Sequence, residues 1–185
     1  CVKFGVIRVM KKKPDIVVSG INNGSNDGCS VFYSGTVGAA REGALMGIPS
    51  IAVSLDTLKY FNFFAAAEIG VKLIRWFGIV GLPQRTFLNI NVPDIPDNKK
   101  FSGVRLTEQC LVPIHSEFRK KKNPAGREYY WLTGRFPAYK KDSGSDSYAL
   151  RRKYVTVTPV QCDATDRSFL ERMKKMKKEN LFNSL

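Results

Sequence analysis

The sequence is poor in the residues that build most metal sites and disulfide frameworks. It has one histidine, His115, and four cysteines, Cys1, Cys29, Cys110 and Cys162. The cysteines are widely separated and form no Cys-x-x-Cys pair, which argues against both a zinc site and a disulfide framework. The single histidine nearly excludes histidine-based phosphatase chemistry. Isolated reduced thiols are typical of cytoplasmic proteins, so we expect a cytoplasmic location.

Long apolar runs are absent as well. No stretch of the sequence approaches the roughly 20 residues that a membrane-spanning helix needs, so we expect no membrane partner. With 43% hydrophobic and 25% charged residues, the composition is that of a globular protein. A length of 185 residues suits one domain, or one domain with an appendage.

Negative charge is also scarce, and the formal net charge is +14. Basic clusters occur at 119–122, 140–141, 151–153 and 174–178. One interpretation is a non-catalytic module that binds nucleic acid or polyphosphate, with neighbouring aromatic residues stacking on bases. The other is a solvated basic surface whose field draws anionic substrates toward a site elsewhere. The clusters lie on predicted turns and on a terminal helix, which favours the second interpretation and argues against nucleic acid as the partner.

Helical and strand patterns alternate through the first hundred residues. This alternation is typical of an α/β fold with a mainly parallel sheet covered on both faces. The predicted strands are Asp15–Ser19, Ser50–Leu55 and Thr86–Val92, and the predicted helices are Val2–Lys12, Gly38–Met46 and Phe61–Phe77.

The segment 14–44 carries the strongest functional signal. An apolar strand leads into a loop of glycine, asparagine and serine, which then enters a helix through Ser34, Gly35 and Thr36. Loops of this kind present backbone N–H groups to anions, and the helix dipole adds partial positive charge. Asn22 and neighbouring asparagines offer oxygen ligands for hard cations and donors for phosphate oxygens. Phosphate is therefore the first ligand to consider.

A loop of this composition can also arise without a phosphate ligand. An ordinary asparagine-glycine turn followed by a helix cap would have similar residues. A dinucleotide-binding loop would need Gly-x-Gly-x-x-Gly directly after the strand, and the sequence around Gly20 does not have that spacing.

Longer motifs resemble one known family in one consistent order. The sequence is similar to the SurE family, the stationary-phase survival proteins, over nearly its whole length. The motifs that carry the resemblance are VVSGINNGSNDG, YSGTVGAAREGALMGIPSIAVS, FLNINVPDIP, GVRLTEQ, GREYYWLTG and YALRRKYVTVTPV.

The resemblance implies a Rossmann-like three-layer sandwich and a metal-dependent phosphatase. Family members hydrolyse nucleoside 5′- and 3′-monophosphates to nucleoside and phosphate. By the family pattern, Asn22 is a catalytic residue and a ligand of the divalent cation, for which Mg²⁺ or Mn²⁺ is expected. Ser34, Gly35 and Thr36 are expected to bind the substrate phosphate.

The sequence departs from the family pattern in two places. Family members open with a strand ending in Asn-Asp-Asp-Gly, whose paired carboxylates hold the metal, and no Asp-Asp pair occurs here. We therefore expect the chain to be an N-terminally truncated fragment that is inactive by itself. Ser25 replaces the proline usual in the family loop, a change that loosens the turn without removing a metal ligand.

Asn89 and Asn91 alternate on one strand face, but turn caps explain them equally well, and they are not part of the predicted site.

The character of the sequence changes after residue 100. Phe101–Thr107 and Tyr154–Val160 are predicted strands, and a basic helix is expected from Thr165. Between the two strands, Val112–Phe118 and Glu128–Phe136 are predicted to be the arms of a hairpin with a charged tip. We expect three parts: an α/β core (1–107), a hairpin and oligomerisation region (108–153), and a returning strand with the basic helix (154–185). In the family the hairpin extends from the body, so a homodimer or homotetramer is expected through it.

Overall fold

The computed structural model describes residues 1–57, 59–112, 115–135 and 144–177. The helices are α1 (Val2–Phe4), which continues into a π-helical turn (Gly5–Val9), α2 (Gly35–Leu45), α3 (Phe63–Val80), α4 (Asp146–Arg151) and α5 (Arg167–Lys177); a 3-10 turn spans Gly28–Phe32. The strands are β1 (Val17–Asn23), β2 (Ser50–Asp56), β3 (Thr86–Pro93), β4 (Gly103–Leu106), β5 (His115–Lys122), β6 (Glu128–Arg135) and β7 (Tyr154–Gln161).

Five of these strands form one twisted sheet in the order β1-β2-β3-β7-β4. The strands β1, β2 and β3 are parallel, β7 runs antiparallel to β3, and β4 is parallel to β7. The carboxyl ends of the three parallel strands therefore meet at one edge, and the beginning of β7 lies at that edge too. In α/β sheets this edge is where ligands bind.

Helices cover both faces of the sheet, as the sequence predicts. On the α3 face the core contains Ile51, Val53, Leu55, Ala66, Leu88, Ile90, Val92, Val155 and Val157. On the α2 face it contains Val31, Val37, Ala40, Ala44, Ala52 and Phe87. The alternation of side chains along β2 and β3 divides the two cores, since successive residues of a strand point to opposite faces. The three layers are α2 with its neighbours, the sheet, and α3.

Helix α2 lies close to the sheet because one of its residues has no side chain. A Cβ atom at Gly43 would lie 2.8 and 2.9 Å from side-chain carbons of Val17, and closer still to the hydroxyl of Ser50. Gly38, in the same helix, has open space at the equivalent position. Gly43 therefore sets the height of α2 above β1 and β2.

Several predicted boundaries are wrong, and each has a local reason. Strand β1 does not end at Ser19 but continues to Asn23, because Asn22 and Asn23 pair with β2 although their residue types suggest a turn. The first helix ends at Val9 instead of Lys12, since Met10 is extended. Helix α2 begins at Gly35 instead of Gly38. The short helix α4 was not predicted from the sequence.

The strands β5 and β6 form a separate antiparallel hairpin. Its turn is closed by Asn123, which accepts hydrogen bonds from the backbone of Gly126 and Arg127. The predicted first arm began at Val112, but the strand begins at His115. The predicted end of the second arm, Phe136, lies outside the described residues. Large side chains of the hairpin are exposed, namely Phe118, Tyr129, Tyr130, Trp131 and Leu132.

In the part of the chain that the structure describes, no helix is both long enough and apolar enough to cross a bilayer.

Candidate functional site at the carboxyl edge of the sheet

The start of α2 is a capped helix N-terminus that faces the carboxyl edge of the sheet. Ser34 is the N-cap residue, and its hydroxyl oxygen accepts a hydrogen bond of 3.1 Å from the backbone N–H of Val37. The N–H groups of the first turn have no partner within the helix, and the helix dipole adds partial positive charge at that end. The backbone at Gly35 and Thr36 is therefore suited to an anion.

Asn22 lies beside this helix start. The hydroxyl of Thr36 donates a hydrogen bond of 3.2 Å to Oδ1 of Asn22. The amide nitrogen of Asn22 donates a second bond, of 2.7 Å, to the carbonyl oxygen of Gly24. The structure thus brings together Asn22 and Thr36, which the sequence motifs assign to one site, and the neighbouring Ser34 is the cap of the same helix.

The loop after β1 is fixed to the sheet through the backbone of Asn26. Its N–H donates to Oδ1 of Asn91 over 2.7 Å, and its carbonyl oxygen accepts from the amide of Asn89 over 2.8 Å. The side-chain amide of Asn26 donates to the hydroxyl of Ser54 over 2.7 Å. Asn89, Asn91 and Ser54 are fully buried. We call this set of contacts the Asn26 clamp.

The Asn26 clamp gives Asn89 and Asn91 a role that the sequence did not predict. They do not cap a turn of their own strand; they hold a loop that belongs to β1. Two alternating asparagines in an otherwise apolar, buried strand were the available signal, because buried polar side chains need partners.

The buried carboxylate of Asp146 binds the next part of the loop, at Gly28. Asp146, at the start of α4, accepts hydrogen bonds of 2.9 Å from the N–H of Gly28, 2.9 Å from that of Cys110 and 2.7 Å from that of Ser147. Gln109 adds a bond of 3.0 Å to the carbonyl oxygen of Gly28. Burial raises the pKa of Asp146, and the three N–H donors oppose that rise.

A second carboxylate, Asp56, ends strand β2 at the same edge. Burial raises its pKa, and a hydrogen bond from the hydroxyl of Ser25 counters the rise. The negative charge of Asp27 raises the pKa of Asp56 further, while the positive charges of Lys153 and Arg151 lower it. Ser25 belongs to the loop after β1, so its hydroxyl joins that loop to the end of the neighbouring strand.

The described residues do not by themselves form a carboxylate site for a divalent cation. No group of three or more histidine, cysteine, aspartate or glutamate side chains among them is arranged to hold a metal ion. Oδ1 of Asn22 is an uncharged oxygen that already accepts one hydrogen bond. Carboxylates supply most of the affinity of proteins for Mg²⁺ or Mn²⁺.

Parallel strands, a clamped loop and a capped helix start meet at one edge of the sheet. This arrangement places the chain among the α/β proteins whose ligands bind beyond the carboxyl ends of parallel strands. A family model described as "Survival protein SurE" matches residues 1–115. The chain belongs to the SurE family, as the sequence motifs indicated.

Named relatives and a solved structure agree with this assignment. A "5'-nucleotidase SurE" of Desulfatibacillum aliphaticivorans is 43% identical over 179 residues, which are 97% of this chain and 70% of the relative. A protein of the same name from Syntrophobacter fumaroxidans is 41% identical, over 95% of this chain and 70% of the relative. The crystal structure of a SurE protein from Aquifex aeolicus superposes with a TM-score of 0.80 at 33% identity, and the match covers 96% of this chain and 71% of that one. The predicted fold class is confirmed.

Proposed function

We propose that the protein is a 5′-nucleotidase, a phosphoric monoester hydrolase that converts nucleoside monophosphates to nucleoside and phosphate. The observation that carries the proposal is the hydrogen bond between Thr36 and Asn22, which joins the capped start of α2 to the carboxyl edge of the sheet. Relatives about 40% identical over nearly the whole chain are named for this activity. Hydrolysis of 3′-monophosphates is part of the proposal.

We assign the substrate phosphate to the first turn of α2. The backbone N–H groups there and the hydroxyls of Ser34 and Thr36 are donors, and Gly35 has open space around it for a ligand. Phosphate monoesters carry their charge on non-bridging oxygens, which such donors and the helix dipole stabilise. Asn22 lies within hydrogen-bond reach of Thr36, so it is placed to help orient the same phosphoryl group.

We also propose that the activity depends on a divalent cation, Mg²⁺ or Mn²⁺, with Oδ1 of Asn22 as one ligand. Such an ion neutralises phosphate charge and lowers the pKa of a bound water. Because the described residues bring no carboxylate set to Asn22, we propose that the 185-residue chain alone is inactive.

The proposal has a matched pair of test variants in neighbouring residues. Asn22 lies on the α2 face of the sheet, while Asn23 is exposed and pairs with Leu55, whose side chain belongs to the opposite core. In a protein that carries the 185 residues after the N-terminal segment of a SurE relative, we expect Asn22→Ala to lower phosphate release from AMP by about 100-fold. We expect Asn23→Ala to leave the rate nearly unchanged. Equal rates in the two variants would remove Asn22 from the site.

The hairpin is the proposed oligomerisation element, and we retain the division into parts 1–107, 108–153 and 154–185. The side chains of Phe118 and Leu132 are opposite each other in register and more than half exposed, as is Tyr130 beside them. A two-stranded hairpin cannot bury such side chains by itself. We propose a homodimer or homotetramer formed through this surface, in a cytoplasmic protein.

A second candidate function rests on the other face of the hairpin. Arg119 is opposite Trp131, and Lys121 is opposite Tyr129. The amine of Lys121 lies 5.4 Å from the centre of the Trp131 ring. Basic and aromatic side chains in this arrangement suit single-stranded RNA. RNA binding that weakens steeply with salt, in a protein that hydrolyses no nucleotide, would favour this alternative over the nucleotidase.

A further inference from the structure

The carboxylate of Asp56 lies on the same face of the sheet as the proposed phosphate site. Asn22 is the register partner of Ser54 in the parallel pair β1–β2, and Asp56 follows Ser54 by two residues. Side chains two residues apart point to one face, so Asn22, Ser54 and Asp56 share the α2 face. From the strand spacing and the rise per residue, the Cα atoms of Asn22 and Asp56 are roughly 8 Å apart.

The loop after β1 contacts the side chain of Asp56. Ser25 lies beside this carboxylate, since hydrogen bonding by its hydroxyl lowers the pKa of Asp56. Ser25 follows directly after Gly24, whose carbonyl oxygen accepts a hydrogen bond from the amide of Asn22. The side chain of Asp56 is half-buried, so it remains open to a ligand.

The chemistry of a carboxylate limits what it can contact. It repels a phosphate group and accepts hydrogen bonds from neutral donors such as sugar hydroxyls. In other α/β nucleotide-binding folds, the phosphate is at the helix that follows one strand, and a carboxylate farther along the chain accepts from a ribose hydroxyl. Here α2 follows β1, and Asp56 ends the adjacent β2.

We propose that Asp56, oriented by Ser25, is a specificity-determining residue that binds the ribose hydroxyls of the nucleoside monophosphate whose phosphate is held at the start of α2. This inference rests on the proposed function and adds to it a preference for ribonucleotides over sugar-free or hydroxyl-free phosphate esters.

Binding tests the inference without requiring turnover. The 185-residue chain is titrated with AMP, with 2′,3′-dideoxy-AMP and with inorganic phosphate, and the amide NMR signals of Gly35 and Thr36 report binding. We expect AMP to bind about tenfold more tightly than 2′,3′-dideoxy-AMP, the ratio for hydrogen bonds from hydroxyls to a charged acceptor. In Asp56→Ala this ratio falls to about one, while the affinity for inorganic phosphate is unchanged.

Two further variants complete the experiment. Asp15→Asn is the matched control, because Asp15 is an exposed aspartate that precedes β1, at the opposite edge of the sheet, and it should retain the tenfold ratio. Ser25→Ala removes the hydroxyl and should reduce the ratio in part, since Asp56 then loses the hydrogen bond that orients it.

Three results would overturn the inference, and they are distinguishable. Equal affinities of the wild-type chain for AMP and 2′,3′-dideoxy-AMP would exclude recognition of the hydroxyls, whatever the variants do. An equal loss for all three ligands in Asp56→Ala would place the carboxylate at the phosphate instead of the sugar. No response of Gly35 or Thr36 to any of the three ligands would contradict the proposed function itself, and the inference with it.

Discussion

The close approach of helix α2 to the sheet at Gly43 predicts a large effect from a single methyl group. A Cβ atom there would lie 2.8 and 2.9 Å from Val17 side-chain carbons and also against the Ser50 hydroxyl. Neither neighbour moves easily. Ser50 is fully buried and donates a 2.8 Å hydrogen bond to the carbonyl of Ile48, while Val17 is β-branched and stiff. Gly43→Ala must therefore lift α2 from the sheet or distort β1 and β2.

The magnitude follows from two opposing effects. Overpacking of this kind costs about 1–3 kcal/mol, and the absence of free space at Gly43 places the cost near the upper end. Alanine in place of glycine within a helix raises the free energy of unfolding by about 1 kcal/mol. We expect Gly43→Ala to lower the free energy of unfolding by about 2 kcal/mol net. Gly38→Ala, with open space in the same helix, should raise it by about 1 kcal/mol.

Urea unfolding followed by circular dichroism measures the difference. With a typical slope of about 2 kcal/mol per molar urea, Gly43→Ala should unfold at roughly 1 M less urea than the wild-type chain. The unfolding midpoint of Gly38→Ala should move to a higher urea concentration than that of the wild-type chain. Because α2 also carries the Gly35 amide, Gly43→Ala should weaken phosphate binding as well. Equal midpoints for the two variants, or a more stable Gly43→Ala, would refute the reasoning.

Two further predictions concern the buried polar residues around the loop. Asn91→Ala removes the acceptor of the buried Asn26 N–H and should lower the free energy of unfolding by about 2–3 kcal/mol. The control Asn123→Ala removes a similar acceptor at the exposed hairpin turn and should lower it by less than about 1 kcal/mol. Equal losses of the two variants in urea unfolding would contradict the role of the Asn26 clamp. The raised pKa of Asp146 means that its stabilising contribution is fully present below pH 3.8 and is lost as the pH rises through the raised value. The stability of the wild-type chain relative to Asp146→Asn should therefore fall over that range, and a difference independent of pH would show that Asp146 does not titrate as burial predicts.

Local patterns predicted most of the sheet. The strands at Ser50–Leu55 and Thr86–Val92 are correct to within one residue, because each is an apolar run whose two faces are both buried. The end of β1 could not be predicted in this way. Its last residues are of turn-forming types, and their strand conformation depends on pairing with β2, which no local pattern reports.

In the candidate site, too, only contacts between residues close in sequence could be predicted. Ser34, Thr36 and Asn22 are close in sequence, and the family motif links them. The hydrogen bonds that the N–H groups of Asn26 and Gly28 donate to Asn91 and Asp146 span 65 and 118 residues, so only the folded chain reveals them. Asn89 and Asn91 were visible as unusual residues in a buried strand, yet their partner was not.

The central proposal, a metal-dependent 5′-nucleotidase activity, is tested most directly by phosphate release from AMP. The assay is run with Mg²⁺ and with Mn²⁺, on the 185-residue chain and on the same chain preceded by the N-terminal segment of a SurE relative. We expect that only the extended protein releases phosphate, and that chelating the cation stops the reaction. Release that persists under chelation, or no release from the extended protein although it is folded, would contradict the claim.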